Sequence, residues 1–194
     1  MRRREACGVM TGMLLSGCDV LRPKPAVKAA DLQLDYSLLL DGTPAKRISE
    51  KYHFRSGDRF RVELRPAFPA FLYLLNRGAG QTEYLFMYPN AHASQNPLKA
   101  GATVTLPGGQ EWYTLDDHAG AENMVLIATT EPLTEFAATD SPISQEECER
   151  RISTLERERR PRSSRRIEEN DWVKLFVAPD DKAVLLTRLP IIHG

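Results

Sequence analysis

Hydrophobic and polar residues alternate in short segments through most of the chain after residue 31. Successive side chains of a β-strand point to opposite faces of the sheet, so this period of two predicts half-buried strands. Residues 124–128 are continuously apolar instead, which is typical of a strand buried on both faces. The predicted strands are 32–38, 60–64, 71–75, 84–88, 104–106, 112–114 and 124–128, with an edge strand or extended segment through Ile48, Tyr52 and Phe54.

Glycine and proline residues interrupt these segments at short intervals, and no long helical period occurs before residue 142. Many short strands separated by such residues favour an antiparallel β-sandwich, immunoglobulin-like or similar. The predicted turns include Asp41-Gly42 and Ser56-Gly57-Asp58. We therefore expect a mainly β fold in which residues 31–194 form a single β domain with a helical insertion at 141–170.

The insertion contains one predicted helix that runs from about residue 142 to residue 160. Its start is marked either by Ser141-Pro142 or by Ser144, which has Glu147 three residues further on as in a capping box. A narrow apolar stripe, wide enough to lie on a sheet, is formed by Cys148, Ile152 and Leu155. Pro161 and Ser163-Ser164 end the helix.

Two apolar segments near the end of the chain, residues 172–177 and 184–189, flank Pro179-Asp180-Asp181-Lys182. Strand-like segments separated by a short polar turn predict a hairpin. We expect this hairpin to pair with the main sheet, although a separate C-terminal appendage is an alternative.

Composition and charge narrow the class of partner. The chain of 194 residues is 42% hydrophobic and 27% charged and has a formal net charge of zero. Loss of residues 1–17 would remove three arginines and one glutamate, which leaves 23 basic and 25 acidic residues. A domain so close to neutrality lacks the electrostatic field that nucleic-acid binding requires, so no nucleic-acid partner is expected.

The first eighteen residues have the features of an export signal. Three arginines precede an apolar and small-residue run at 6–15 that is far shorter than the roughly 20 residues of a membrane-spanning helix. The segment Leu15-Ser16-Gly17-Cys18 resembles the lipobox of bacterial lipoproteins, whose cysteine receives a diacylglyceryl group and becomes the mature N-terminus. The resemblance implies a signal peptide at 1–17 and a lipid anchor, with palmitate among its acyl chains, on Cys18.

Residues 18–30 contain Pro23 and Pro25 and are predicted to form a short, semi-extended tether. Asp19 follows the lipid-bearing cysteine, a feature that in enteric bacteria retains lipoproteins in the inner membrane. That rule varies between bacteria, so the outer membrane is the alternative location. The expected location is the periplasmic side of the cell envelope.

A series of turn and core residues follows in a characteristic order between about residues 50 and 133. The series is Ser56-Gly57-Asp58-Arg59-Phe60, Phe71-Leu72-Tyr73-Leu74-Leu75-Asn76, Leu85-Phe86 with Pro89-Asn90, Asn96-Pro97-Leu98 with Gly101, Leu106-Pro107, and Gly120-Ala121-Glu122. It resembles a bacterial family catalogued as domain of unknown function four-three-eight-four. Members are exported or lipid-anchored, or joined to kinase, peptidase or repeat modules, which implies a sensing or scaffolding role. The family runs Phe directly into Pro-Asn, so Met87 and Tyr88 here predict a bulge.

Candidate catalytic chemistry is sparse. Nucleophile-elbow, phosphate-loop and dinucleotide motifs are missing from the sequence, so neither an enzyme nor a cofactor is expected. His118 beside Asp116, Asp117 and Glu122 could form a metal or hydrolase site, but a polar turn is the explanation we favour for the cluster, and no metal is expected. Glu122 could instead accept backbone N–H bonds and stabilise a turn. Cys148 would be the only thiol of the mature chain without a lipid, and we expect it to be buried on the helix stripe.

Two surfaces are candidates for binding. The first is aromatic and comprises Tyr73, Tyr84, Tyr88 and Trp112, whose rings either line a ligand groove or belong to the core. The second is basic and comprises Arg157, Arg159, Arg160 and Arg162, which either bind an acidic partner or lipid head groups or form a solvated helix surface.

These patterns together predict a lipid-anchored bacterial envelope protein with a non-enzymatic β-sandwich that acts in binding or scaffolding. A role as an accessory of a secretion or envelope-assembly system is one form of this hypothesis. Its partners would be the membrane, through Cys18, and another envelope protein. The alternative function is a small-ligand sensor that uses the aromatic groove.

Overall fold

The computed structural model describes residues 31–90, 94–137, 141–159, 161, 163–178 and 184–194. The predicted signal peptide, the predicted tether and the predicted lipidation site at Cys18 therefore lie outside the described residues. The strands are β1 (Leu32–Leu40), β2 (Lys46–Ile48), β3 (His53–Phe54), β4 (Arg59–Pro66), β5 (Phe71–Arg77), β6 (Glu83–Tyr88), β7 (Val104–Leu106), β8 (Tyr113–Thr114), β9 (Gly120–Thr129), β10 (Ile143–Ser144), β11 (Ser164–Glu169), β12 (Trp172–Val177) and β13 (Val184–His193). The helices are α1 (Gln145–Glu158) and a 3₁₀ turn at Thr134–Phe136.

The strands form two sheets. The first sheet has the order β11-β12-β1-β4-β7, with β2 paired to β1 and β8 paired to β4. The second sheet has the order β10-β6-β5-β9-β13-β3. Neighbouring strands are antiparallel except β3 and β13, which are parallel. A mainly β, sandwich-like fold with one α-helix near the C-terminus is confirmed.

The main core lies between the two sheets and follows the alternation in the sequence. Leu34, Tyr36 and Leu38 of β1 are buried there with Val62 and Leu64 of β4. The second sheet has a core on each of its faces, since Leu126 packs against the first sheet while its neighbour Ile127 packs on the opposite side. Residues 124–128 are all buried for this reason, as their continuous apolar character predicted.

Helix α1 covers the outer face of the second sheet. Ser144 is its N-cap, and the Ser144 hydroxyl accepts a hydrogen bond from the Glu147 N–H at 3.3 Å, which settles the predicted start. The predicted stripe of Cys148, Ile152 and Leu155 is buried against that sheet. Burial raises the pKa of the Cys148 thiol to about 11, so this free thiol stays protonated and unreactive at neutral pH.

A polar contact also holds the helix in place. Glu149 accepts hydrogen bonds from the Tyr84 hydroxyl at 2.8 Å and from Arg188 Nη2 at 2.7 Å, and these residues come from α1, β6 and β13. The Arg188 guanidinium is the main cause of the lowered pKa of the Glu149 carboxyl. The contact therefore favours the ionised carboxylate of the folded state.

Replacement of Glu149 by glutamine is expected to lower the free energy of unfolding at pH 7 by about 1 kcal/mol or less, because the pair is partly exposed. A carboxyl with a lowered folded pKa contributes its stability above the ordinary glutamate pKa and loses it as the pH falls through the folded value. The difference between wild type and Glu149→Gln, measured by urea unfolding, should therefore begin to shrink below the ordinary glutamate pKa of about 4.3 and vanish once the pH is below the lowered folded value. Glu146→Gln, an exposed change in the same helical turn, is the control, and a pH-independent difference would contradict the assignment.

The predicted bulge lies in β6. Leu74 of β5 pairs with Tyr88 and Leu75 pairs with Phe86, so Met87 is the extra residue. The bulge changes the face to which β6 side chains point: Phe86 belongs to the core under the helix, whereas Tyr88 belongs to the core between the sheets. The Tyr88 hydroxyl donates a hydrogen bond to the Gln95 carbonyl.

The predicted hairpin of residues 172–177 and 184–189 is wrong. These segments form β12 and β13, which lie in different sheets: β12 pairs with β1 and β13 pairs with β9. The actual hairpin joins β12 to β11, a strand at residues 164–169 that the sequence analysis assigned to the helical insertion. Its turn is Asn170-Asp171, whose φ angles of 53° and 60° are those that a tight two-residue β-turn needs.

Candidate functional site

The pairing of β1 with its neighbouring strands defines two ends of the sandwich. Leu32 pairs with Val177, and Val177 pairs with Ser164, so the starts of β1 and β11 lie in one row at what we call the tether end. The opposite, distal end is where Leu40 pairs with Phe60. Eight residue steps of about 3.3 Å separate Leu32 from Leu40, so the two ends are about 26 Å apart.

A cleft of about 330 Å³ opens between the two sheets at the distal end. We call it the distal cleft, and its walls come from β4 and β8 of the first sheet and from β5, β6 and β9 of the second. Its apolar lining residues are Phe60, Leu85, Met87, Leu115 and Met124. Leu85 is 53% exposed, an unusual state for a leucine in a strand, whereas Phe60 and Met124 are buried. The cleft thus has an apolar floor that reaches the central core.

Glu122 forms the polar back of the cleft. Its side chain is buried, and its two carboxylate oxygens accept hydrogen bonds from Asn76 Nδ2 at 2.8 Å and from the Ala79 N–H at 3.3 Å. The β5–β6 loop approaches it closely, since a Cβ on Gly78 would lie 3.7 Å from Glu122 Oε2. The interpretation of Glu122 as a turn-stabilising carboxylate is confirmed. His193 lies behind it, with Nδ1 at 3.9 Å from Glu122 Oε1.

Two polar atoms in the lining have no hydrogen-bond partner among the described residues. They are the Tyr113 hydroxyl and Asn76 Oδ1, and both are inaccessible to solvent. Burial raises the pKa of Tyr113, so its hydroxyl keeps its proton and can donate a hydrogen bond. A buried polar atom without a partner costs about 1–3 kcal/mol. Because both atoms are closed to solvent, a ligand reaches them only when the Asn76 or Tyr113 side chain turns toward the cleft.

The rim of the cleft is acidic. Glu83 and Asp116 are exposed lining residues, and together with Glu122 they place three carboxylates around the cleft. None of the described residues in the lining is lysine or arginine. His118 Nδ1 lies 3.2 Å from Asp116 Oδ2 at the surface, and the His118 N–H and Asp116 form the predicted polar turn. Among the described residues, no group of three or more His, Cys, Asp or Glu side chains is arranged to hold a metal ion.

The aromatic groove predicted from the sequence is wrong for its three tyrosines. Tyr73, Tyr84 and Tyr88 are 3%, 0% and 2% exposed. Their hydroxyls are engaged internally, with Tyr73 accepting the Leu133 N–H at 2.7 Å. Trp112 is partly exposed and lies under the Arg61 guanidinium at 4.1 Å from the ring centroid, outside the distal cleft. The aromatic residues that line the distal cleft are Phe60 and Tyr113.

The predicted basic surface is only partly described. The Arg157 side chain is 74% exposed, with Nη2 3.7 Å from Glu158 Oε1, whereas Arg159 is partly buried. Arg160 and Arg162 lie outside the described residues. A larger concavity of about 940 Å³ borders Arg157 at the tether end, and Phe176 and Val184 also line it. Binding of an acidic partner by these arginines stays a prediction.

The arrangement defines a β-sandwich with a concave, acidic binding cleft at one end. Residues 53–132 match the family described as Domain of unknown function (DUF4384), which confirms the resemblance seen in the sequence. All residues that line the distal cleft fall within this matched segment. No curated protein and no solved structure matches the chain.

Sequence reasoning found part of the site. Asn76 and Glu122 were identified as motif residues, and Tyr113 lies in the predicted strand 112–114. Their convergence depends on the register of β5 with β9, in which Asn76 pairs with Met124, and on the pairing of Tyr113 with Phe60. Leu85 is the sequence signal that could have indicated the site. It is an apolar residue in phase with the exposed Glu83 and out of phase with the buried Tyr84 and Phe86, so alternation places it on the exposed side of β6.

Proposed function

We propose that this protein is a lipid-anchored component of the bacterial envelope that binds another envelope protein through the distal cleft, without catalysis. The observation that carries the proposal is the position of the cleft at the end of the sandwich opposite Leu32, where the tether enters. An accessory role in a secretion or envelope-assembly system fits this arrangement.

The geometry of the tether supports the proposal. Thirteen residues, 19–31, separate Cys18 from β1, and a flexible chain of that length spans roughly 20 Å on average. Anchoring at Cys18 would therefore hold the tether end near the bilayer and direct the cleft away from it. The part of the chain that the structure describes contains no helix long and apolar enough to cross a bilayer. In this proposal the acyl chains on Cys18 attach the protein, each buried CH₂ contributing about 0.8 kcal/mol.

The anchoring half of the proposal predicts that cells fed labelled palmitate incorporate it into the wild-type chain and not into Cys18→Ala. The wild type should sediment with membranes, and the variant should lose that association. Equal labelling of the two chains, or membrane association that is independent of Cys18, would contradict the anchor.

The binding half is tested by a photo-cross-linking amino acid placed at Leu85, inside the cleft. Ile167 of β11 is the matched control, because it is also a partly exposed hydrophobic residue, at 38% against 53%, but lies outside the cleft. We expect a discrete cross-link to an envelope protein from position 85 and not from position 167. Equal products from both positions, or none from position 85, would count against the cleft as the docking site.

A small-ligand sensor is the second candidate function. The specific observation in its favour is the concave shape of the cleft, with an apolar floor and few polar groups, which is usual for small-molecule sites. A cross-link from position 85 that is suppressed by a small-molecule extract of the envelope would favour the sensor over direct protein binding.

A further inference from the structure

We propose that the distal cleft recognises a basic side chain, namely the ammonium group of a lysine carried on its apolar stem by the partner protein. This inference rests on the proposed function, because it names the chemistry of the group that the same cleft receives. Its argument uses the charge, the unpartnered atoms and the shape of the cleft.

Charge is the first step of the argument. Among the described residues that line the cleft, Glu83, Asp116 and Glu122 are acidic and none is lysine or arginine. Of the basic side chains nearby, Arg77 donates to the Gln81 carbonyl at 2.8 Å and lies over the Tyr84 ring, and His118 contacts Asp116 from outside the lining. His193 is buried behind Glu122, with Nδ1 3.9 Å from Glu122 Oε1. A cleft with low-dielectric walls and one sign of charge concentrates the opposite charge, so a cation is favoured.

Hydrogen bonding is the second step. Asn76 Oδ1 is an acceptor without a donor among the described residues, while Asn76 Nδ2 donates to Glu122. The oxygen is closed to solvent, so an ammonium group reaches it only when the side chain turns toward the cleft. The Tyr113 hydroxyl can also accept, and each Glu122 oxygen accepts one described hydrogen bond although a carboxylate oxygen has two lone pairs. An ammonium group has three donors and no acceptor, so it suits a pocket in which acceptors predominate. A carboxylate or phosphate would be repelled by the acidic side chains that line the cleft.

Shape is the third step. The floor of the cleft is apolar and one of its residues, Leu85, is largely exposed. The four-carbon stem of lysine buries well along such a surface while its charged end reaches polar groups. A volume of about 330 Å³ accommodates one such side chain with part of its backbone. Because the cleft is open at the end of the molecule, the side chain can be presented by a folded partner.

The test is an NMR chemical-shift titration of the chain carrying Cys18→Ser, which is unlipidated. The probe is Nα-acetyl-lysine amide, and the matched control ligand is Nα,Nε-diacetyl-lysine amide, which has the same stem without the charge. We expect saturable shifts confined to amides around Asn76, Tyr113 and Glu122, with the charged probe binding at least about fivefold more tightly than the neutral one.

Variants separate a binding role from a structural one. Asp116→Asn at the exposed rim should weaken binding of the charged probe about two- to fivefold, whereas Asp117→Asn, next to it and outside the lining, should not change it. Tyr113→Phe should also weaken binding, yet leave the midpoint of urea unfolding unchanged or higher, because it removes a buried hydroxyl that has no partner. A residue that only supported the fold would lose stability instead.

Equal affinity for the charged and neutral probes, shifts outside the cleft, no binding of either probe, or unchanged binding in both Asp116→Asn and Tyr113→Phe would overturn the inference. These results leave the cross-link from Leu85 and the labelling of Cys18 as separate observations. Failure of the lysine chemistry can therefore be told apart from failure of the proposed function.

Discussion

Replacement of Glu122 by alanine is expected to lower the free energy of unfolding by about 3 kcal/mol. The buried carboxylate accepts hydrogen bonds from Asn76 Nδ2 and from the Ala79 N–H, and both donors would lose their partner in the variant. These contacts fix the β5–β6 loop to the start of β9, so the loop should also become more mobile. Urea denaturation followed by tryptophan fluorescence measures the change in stability.

Two further variants calibrate this prediction. Glu122→Gln keeps the shape and one carbonyl acceptor, so we expect a smaller loss of about 1–2 kcal/mol. Glu111→Gln changes a glutamate that is exposed and should leave stability nearly unchanged. A loss below 1 kcal/mol for Glu122→Ala would show that the hydrogen bonds at the back of the cleft do not stabilise the fold.

The second large effect is expected at the interface of α1 with the second sheet. Ile152 is 1% exposed and packs in the core under the helix, so Ile152→Ala should lower the free energy of unfolding by about 2–4 kcal/mol through lost apolar contact and the cavity left behind. The helix would then be an integral part of the fold. Chemical denaturation at neutral pH is the appropriate measurement.

Ser153→Ala is the matched control, because Ser153 is the next residue of the same helix and is exposed. It should leave stability unchanged or raise it slightly through the better helix propensity of alanine. If Ile152→Ala unfolded in two separate transitions, with the sheets unaffected by loss of the helix, α1 would be an independent appendage and the prediction would fail.

The errors of the sequence analysis have physical causes. Residues 164–169 are all exposed and mostly charged, so β11 lacks the period-two pattern that identifies a half-buried strand. Its signal was the Asn170-Asp171 turn, since asparagine and aspartate tolerate positive φ better than most residues. The hairpin error arose because two apolar segments close in sequence can pair with each other or pack across a sandwich, and the hydrophobic pattern is the same in both cases.

The tyrosines illustrate a different limit. Alternation shows that successive residues of a strand point to opposite faces, but not which faces are covered. Tyr73 and Tyr84 point away from the central core and would have been exposed on an uncovered sheet. Helix α1 and the 3₁₀ turn cover that face, and the bulge at Met87 turns Tyr88 to the other side.

The sequence by itself determined most of the strands, the capped helix with its apolar stripe and the family resemblance, because each depends on residues close together in the chain. The export signal stays a prediction from the same kind of local pattern. The tertiary structure decided which strands are neighbours, which faces α1 covers, and that Asn76, Tyr113 and Glu122 meet at one cleft. These features arise from strand register and sheet packing between segments up to about 140 residues apart, as in the pairing of Leu32 with Val177. Local periodicity does not indicate such pairings, since it reflects only the environment of each side chain.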